Sequence, residues 1–207
     1  MKHSLVIATS NRGKLEELRH LLAGMNVEVL SLQDVSRKRI EIVEDGDTFE
    51  ANAIKKAREV ATATTMLTLA DDSGLEVDAL GGAPGVRSAR FAGERATDAE
   101  NNAALLDALD ALTADDHGAR TADFRARFRC VLALVDPFVK DGEPFVVEGV
   151  CEGRITRTPR GSGGFGYDPL FFVPAFGKTA AELEPAVKNG ISHRAQALQS
   201  LLARLRR

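Results

Sequence analysis

The run Phe124–Val135 constrains the fold more than any other stretch of the chain. Phe124, Ala126 and Phe128 alternate with Arg125, Arg127 and Arg129, and from Cys130 to Val135 the run is apolar on both faces. Alternation marks a half-solvated strand, and a continuous apolar run a strand covered on both sides. Shorter runs at Ser4–Thr9, Val27–Leu32, Met66–Ala70, Leu75–Leu80 and Phe145–Val150 read as further strands. Helical periodicity appears at Gly13–Ala23, where Leu15, Leu18, Leu21 and Leu22 share a face and Gly24 is a stop, and at Thr48–Ala63, with Phe49, Ala53, Ala57 and Val60 on one face. Thr97 and Glu100 form a capping box ahead of a helix carrying Leu105, Leu109 and Leu112. A last helix runs from Ser192, with Leu198, Leu201, Leu202 and Leu205 inward and Arg204, Arg206 and Arg207 at its negative end. Strands and helices mix without strict alternation, which predicts an α/β fold with a mixed sheet and leaves strand order open.

Length and charge narrow the function. The 207 residues suit a single domain, 1–207, able to bury a core without staples. The net charge of −3 argues against a nucleic-acid partner, which needs a broad basic field. A single Tyr and no Trp leave little for stacking on an extended strand of bases. No segment approaches the roughly 20 apolar residues of a membrane span, and Leu5–Ala8 is too short for a signal sequence, so a cytoplasmic protein is expected. Cys130 and Cys151 lack metal-ligand spacing and read as buried free thiols. His3, His20 and His117 are incidental.

Five constellations carry candidate chemistry. Thr9-Ser10-Asn11-Arg12-Gly13-Lys14 lies between a strand and a helix, where free N–H groups and a partial positive charge attract phosphate. It is not a P-loop, because the first glycine is missing and Leu15 stands at the magnesium-binding hydroxyl position. Glu44 and Asp47 precede a helix and Asp71-Asp72 follow a strand; carboxylates converging from separate segments hold magnesium against a triphosphate. Asn52 and Lys56 share a helical face, and Lys56 can reach phosphate. Ser162–Pro169 joins flexible glycines to Phe165, Tyr167 and Asp168, which could stack on a base and accept its N–H. Lys188 and Ser192-His193-Arg194 offer donors for a purine carbonyl or a phosphate.

These blocks resemble the inosine/xanthosine triphosphate pyrophosphatase family, in the expected order and over nearly the whole chain: IATSNRGK (7–14), EDGDTFEANAIKKA (44–57), ADDSGLEVDALGGAPGVRSARFAG (70–93), GGFGYDPLFF (163–172) and ISHRAQAL (191–198). The resemblance implies an elongated mixed sheet with flanking helices, two lobes around a central cleft, a homodimer, and magnesium-dependent conversion of inosine, deoxyinosine or xanthosine triphosphate to the monophosphate and pyrophosphate. It implies that Thr9, Ser10, Asn11, Arg12, Gly13, Lys14 and Lys56 hold the triphosphate, and that Glu44 and Asp72 bind magnesium with Asp72 also the general base. Ser73 would contact substrate, and Phe165, Gly166, Tyr167, Asp168, Lys188, His193 and Arg194 would shape the base site. Ser10 and Ala195 stand where glycine is common in the family, and the polar segment 114–123 has no assigned role. The related Maf type is disfavoured by SNRGK in place of a Ser-Pro-Arg-Arg run. A non-catalytic nucleotide sensor is disfavoured by retention of both Glu44 and Asp72.

Overall fold

Glycines inside strands, rather than glycines at turns, determine how this chain packs. The computed structural model describes residues 3–36, 40, 42–115, 124–139 and 143–206. The elements run β1 (His3–Ile7), α1 (Arg12–Leu21), β2 (Val27–Ser31), α2 (Leu32–Val35), α3 (Phe49–Thr64), β3 (Thr68–Val77), α4 (Asp98–Asp115), β4 (Arg125–Val135), β5 (Phe145–Ile155), β6 (Phe171–Val173), β7 (Lys178–Thr179), α5 (Pro185–Ile191) and α6 (His193–Leu205). The strands form one seven-stranded sheet in the order β2-β1-β3-β4-β5-β6-β7. β1 is parallel to β2 and β3, while β6 is antiparallel to β5 and β7, so the sheet is mixed as expected. The polar segment 114–123 lies, from residue 116 on, outside the described residues. Among the described residues no helix is long and apolar enough to cross a membrane.

The chain divides into two compact units, and β3, β4 and β5 each contribute residues to both. Met1–Asp72, Cys130–Gly149 and His193–Arg207 make the first. Its core joins Leu5 and Ile7 of β1, Leu18 and Leu22, Leu69, Leu132, Val147, and Leu198 and Leu201 of α6. Val6, on the other side of the same strand by alternation, is also fully buried, as is Ala8 just beyond its end. A strand with both faces covered is what a parallel arrangement demands. Ser73–Arg129 and Val150–Ser192 make the second unit. Its core gathers Leu75, Val77, Leu105, Leu109, Phe124, Tyr167, Leu170 and Phe171. The Phe128 and Phe171 rings lie 4.5 Å apart, tilted by 46°.

Several expectations need correction. Thr68–Val77 is one strand where two were expected, at Met66–Ala70 and Leu75–Leu80, and residues 78–80 form a single helical turn. A Cβ on Gly74 would stand 2.4 Å from Ser88 Oγ and 2.5 Å from the Gly85 carbonyl. That glycine permits close approach of a neighbouring segment within an unbroken strand. β5 likewise runs past Val150 to Ile155, through Gly149 and Gly153. Added Cβ atoms there would meet the His193 carbonyl at 2.2 Å and the Phe171 ring at 2.5 Å. Leu112 and Leu205, expected inward, are 44% and 54% exposed, because each lies beyond the last core residue of its stripe, Leu109 and Leu201. β6, β7 and α5 are too short to leave a period in the sequence.

Gly149 sets how closely α6 approaches β5. Gly149→Ala would place a methyl 2.2 Å from His193 O and 2.3 Å from Ala197 N, both rigid backbone atoms. The helix must then shift, at a cost of about 1–3 kcal/mol or more. Urea unfolding checks this; an unchanged midpoint would mean the helix accommodates the methyl without strain.

Candidate active site

The site in the first unit begins where β1 ends. Asn11 caps α1, its side chain accepting from Lys14 N at 3.1 Å while its own N–H donates to Thr9 Oγ1 at 3.2 Å. The first turn of α1 carries no acidic residue. The positive end of its dipole is therefore uncompensated there. Ser10, Asn11 and Arg12 are exposed and Thr9, Gly13 and Lys14 half-buried. A cavity of about 280 Å³ adjoins this loop, lined by Ala8, Thr9, Ser10, Leu32, Ile40, Ile42, Val43, Glu44 and Lys56.

β3 supplies two consecutive carboxylates, which leave a strand on opposite faces. Asp71 is fully buried and accepts from three donors: Lys14 Nζ at 2.6 Å, Arg194 Nε at 2.9 Å and the Cys130 thiol at 3.0 Å. Burial alone would raise its pKa, but the Arg194 and Lys14 charges outweigh it and hold the carboxyl well below its ordinary value. Arg194, 1% exposed, also donates to Glu17. Cys130 is a buried free thiol, as expected, and burial followed by the Asp71 charge pushes its pKa far up.

Asp72 faces α3. It accepts from Lys56 Nζ at 2.7 Å and from Asn52 Nδ2 at 3.3 Å, and Lys56 Nζ reaches Glu44 as well, at 2.6 Å. Burial, the largest influence, raises the Asp72 pKa despite the opposing charges of Lys56 and Lys14. Burial pulls Lys56 down, yet the Asp72 and Glu44 charges outweigh it and leave the ammonium above its ordinary value. Asn52 also fixes the preceding loop, accepting from Gly46 N at 2.8 Å and donating to Gly46 O at 3.2 Å. Glu44 is thereby carried on a tethered segment. Among the described residues no three His, Cys, Asp or Glu side chains form a ready metal cage. Two carboxylates converging within 2.7 Å of one cation do form a partial seat. Magnesium commonly takes one or two carboxylates and completes its shell with water and substrate phosphates.

In the second unit, residues 163–168 wrap around Asp168. Its Oδ2 accepts from Lys188 Nζ at 2.6 Å and from Phe165 N at 2.9 Å, and Lys188 Nζ lies 5.0 Å from the centre of the Phe165 ring. A Cβ on Gly164 would fall 2.0 Å from that same Oδ2. Tyr167 is 4% exposed and donates to the Ser88 carbonyl at 2.8 Å, so it anchors the loop from beneath. Burial pushes its phenol well above the ordinary value.

The expected residues therefore fall into two groups. Thr9 to Lys14, Glu44, Lys56, Asp72, His193 and Arg194 belong to the first unit, and Ser73, Phe165 to Asp168 and Lys188 to the second. Within the first, Lys56 joins Glu44 to Asp72, and Asp71 joins Lys14 to Arg194. Half-buried Ser73 follows Asp72 on β3, and His193, 8% exposed, opens α6. Sequence reasoning missed Glu17 and the anchoring role of Asp71. Glu17 stands one turn from Lys14 on α1, a spacing that could have drawn notice.

Comparison with known proteins places these residues in context. The model of the Ham1 family matches residues 5–204. A dITP/XTP pyrophosphatase from Desulforamulus reducens is 52% identical over 203 residues, 98% of this chain and 96% of that protein. Its counterpart from Shouchella clausii is 50% identical over 199 residues, 96% of this chain and 94% of that one. A solved Ham1 protein structure from Coxiella burnetii superposes with a TM-score of 0.84 at 46% identity, covering 98% of each chain.

Removing the Asp71 charge takes a partner from buried Arg194 and from half-buried Lys14. Asp71→Asn is expected to cost about 3–5 kcal/mol, the usual penalty for breaking a buried pair. The folded pKa lies below the ordinary 3.8, so the stabilisation is fully present above about pH 4 and is lost as pH falls through the lower folded value. Denaturant unfolding of both proteins across pH checks this. The gap between them should be flat near neutrality and close only in acid; a gap already closing at neutral pH would contradict it.

Proposed function

The chain belongs to the Ham1 family, and on that premise we propose that it hydrolyses non-standard purine nucleoside triphosphates (dITP, ITP and XTP) to the monophosphate and pyrophosphate, clearing them from the nucleotide pool. The observation that carries the reading is Lys56 Nζ, held at 2.6 and 2.7 Å by Glu44 and Asp72. One ammonium and two carboxylates at that spacing suit a metal–triphosphate complex.

The loop Thr9–Gly13, with the start of α1, Lys14 and Lys56, takes the triphosphate by free N–H groups and positive charge. Glu44 and Asp72 would hold Mg²⁺, which when bound would offset the phosphate charge and ease deprotonation of the attacking water. Asp72 orients the attacking water and accepts its proton. Ser73, next on the strand, contacts substrate.

Phe165, Gly166, Tyr167, Asp168 and Lys188 of the second unit shape the base site. Lys188, half-buried and paired with Asp168, is a donor suited to a 6-oxo group, whereas a 6-amino group would offer it no acceptor. The Arg194 guanidinium is committed to Asp71 and Glu17, so its direct contact with a base requires those pairs to be exchanged. The same reading makes the protein a cytoplasmic homodimer, sedimenting at twice the chain mass.

Pyrophosphate release from dITP, XTP, dGTP and dATP, with and without magnesium, tests the reading. Fast, magnesium-dependent release from the first two and little from the others is expected. Asp72→Asn should lower kcat by about 10²–10⁴-fold while remaining folded. Near-normal turnover by that variant at saturating substrate and magnesium would remove Asp72 from its role.

A further inference from the structure

The loop that reads the base, in the function proposed above, has no regular structure of its own, and its conformation is imposed from α4. Gly166 has φ +63°, a conformation that side-chain-bearing residues rarely adopt. Both of its backbone polar groups are engaged by α4. Its N–H donates to Asp98 Oδ2 at 2.7 Å, and its carbonyl accepts from Asn102 Nδ2 at 2.9 Å. Asp98 and Asn102 stand one turn apart, on one helical face. Asn102 Nδ2 also donates to the Asp98 carbonyl at 2.7 Å, tying the two together. The start of this helix is itself fixed by a capping box: Thr97 N donates to Glu100 Oε2 at 2.7 Å and Glu100 N to Thr97 Oγ1 at 3.3 Å.

We propose that Asp98 and Asn102 are positioning residues for base recognition, clamping the two peptides that flank Gly166 so that Phe165 and the Lys188–Asp168 pair are presented in a fixed arrangement. Gly166 lies between Phe165, whose N–H donates to Asp168, and Tyr167, whose hydroxyl is anchored on Ser88. A change of peptide orientation at Gly166 would therefore turn the Phe165 ring and loosen the loop around Asp168.

Asn102 is a costly residue if helix building is its only task. Asparagine is a modest helix former. Its Oδ1 is buried without a hydrogen-bond partner among the described residues, whereas buried polar atoms are normally paired. What the side chain does contribute is Nδ2, spent on the Gly166 and Asp98 carbonyls.

The inference rests on the proposed reading of residues 163–168, and its test separates the two. Asp98→Ala, Asn102→Ala, Asp98→Asn and Lys188→Ala are assayed with magnesium on dITP and dATP, alongside thermal melts. Asp98→Ala and Asn102→Ala should each raise KM for dITP and lower the kcat/KM preference for dITP over dATP by about tenfold, as loss of one positioning hydrogen bond implies. Their kcat should stay within about threefold of wild type. Asp98→Asn keeps an acceptor for Gly166 N–H and should restore the preference. An unchanged preference in both alanine variants, with Lys188→Ala impaired in preference, would overturn the clamp alone. An unchanged preference in Lys188→Ala as well would overturn the base-site reading and the clamp with it. A lowered melting temperature with unaltered preference would reduce Asp98 and Asn102 to a prop for α4.

Discussion

The carboxylate of Asp71, buried in the middle of β3, is the interaction on which the first unit depends. An isolated buried charge is prohibitively costly, and this one is stable because Lys14, Arg194 and the Cys130 thiol all donate to it. Each donor comes from a different element. Lys14 ties in α1 and the loop it caps, Arg194 ties in α6 and through Glu17 returns to α1, and Cys130 belongs to β4. A single side chain thus holds the Thr9–Lys14 loop, a strand and the C-terminal helix in register. The next residue does the opposite. Asp72 leaves the strand on the other face, toward Lys56 and Asn52 of α3, and lies beside the cavity-lining Glu44. The strand period of two separates the anchoring carboxylate from the one to which the proposed function assigns chemistry.

Most of this site was legible because its residues come in local blocks. The capped turn at Thr9–Lys14, the Asn52–Lys56 face and the Thr97–Glu100 box each rest on spacing within one element. The structure reproduces them as N-cap, helical face and capping box. The errors share a physical cause. Gly74 and Gly153 fall outside the expected strands, yet each, like Gly149, sits within a strand where another segment comes too close for a Cβ. That distinction depends on what lies across the strand, which the local sequence does not specify. For the same reason the partners of Asp71 could not be read: Arg194 is 123 residues away and Cys130 is 59.

The second unit solves a different problem. Where the first unit balances buried charges, the second holds an irregular loop by backbone hydrogen bonds, with Asp168 at its centre and Tyr167 beneath. Electrostatics suits a triphosphate, whose charge is large and whose shape is common to all nucleotides. Choice among bases needs donors fixed in direction, because a misplaced donor pairs as readily with the wrong ring. The rigid α4 face behind Gly166 supplies a fixed frame for that loop.

In the proposed function Asp72 directs water at the alpha phosphorus. Hydrolysis of dITP in water enriched in heavy oxygen, with mass analysis of both products, is the decisive measurement. The heavy oxygen should enter deoxyinosine monophosphate and leave pyrophosphate unlabelled. Label in the pyrophosphate would place the attack on the beta phosphorus and contradict the role given to Asp72.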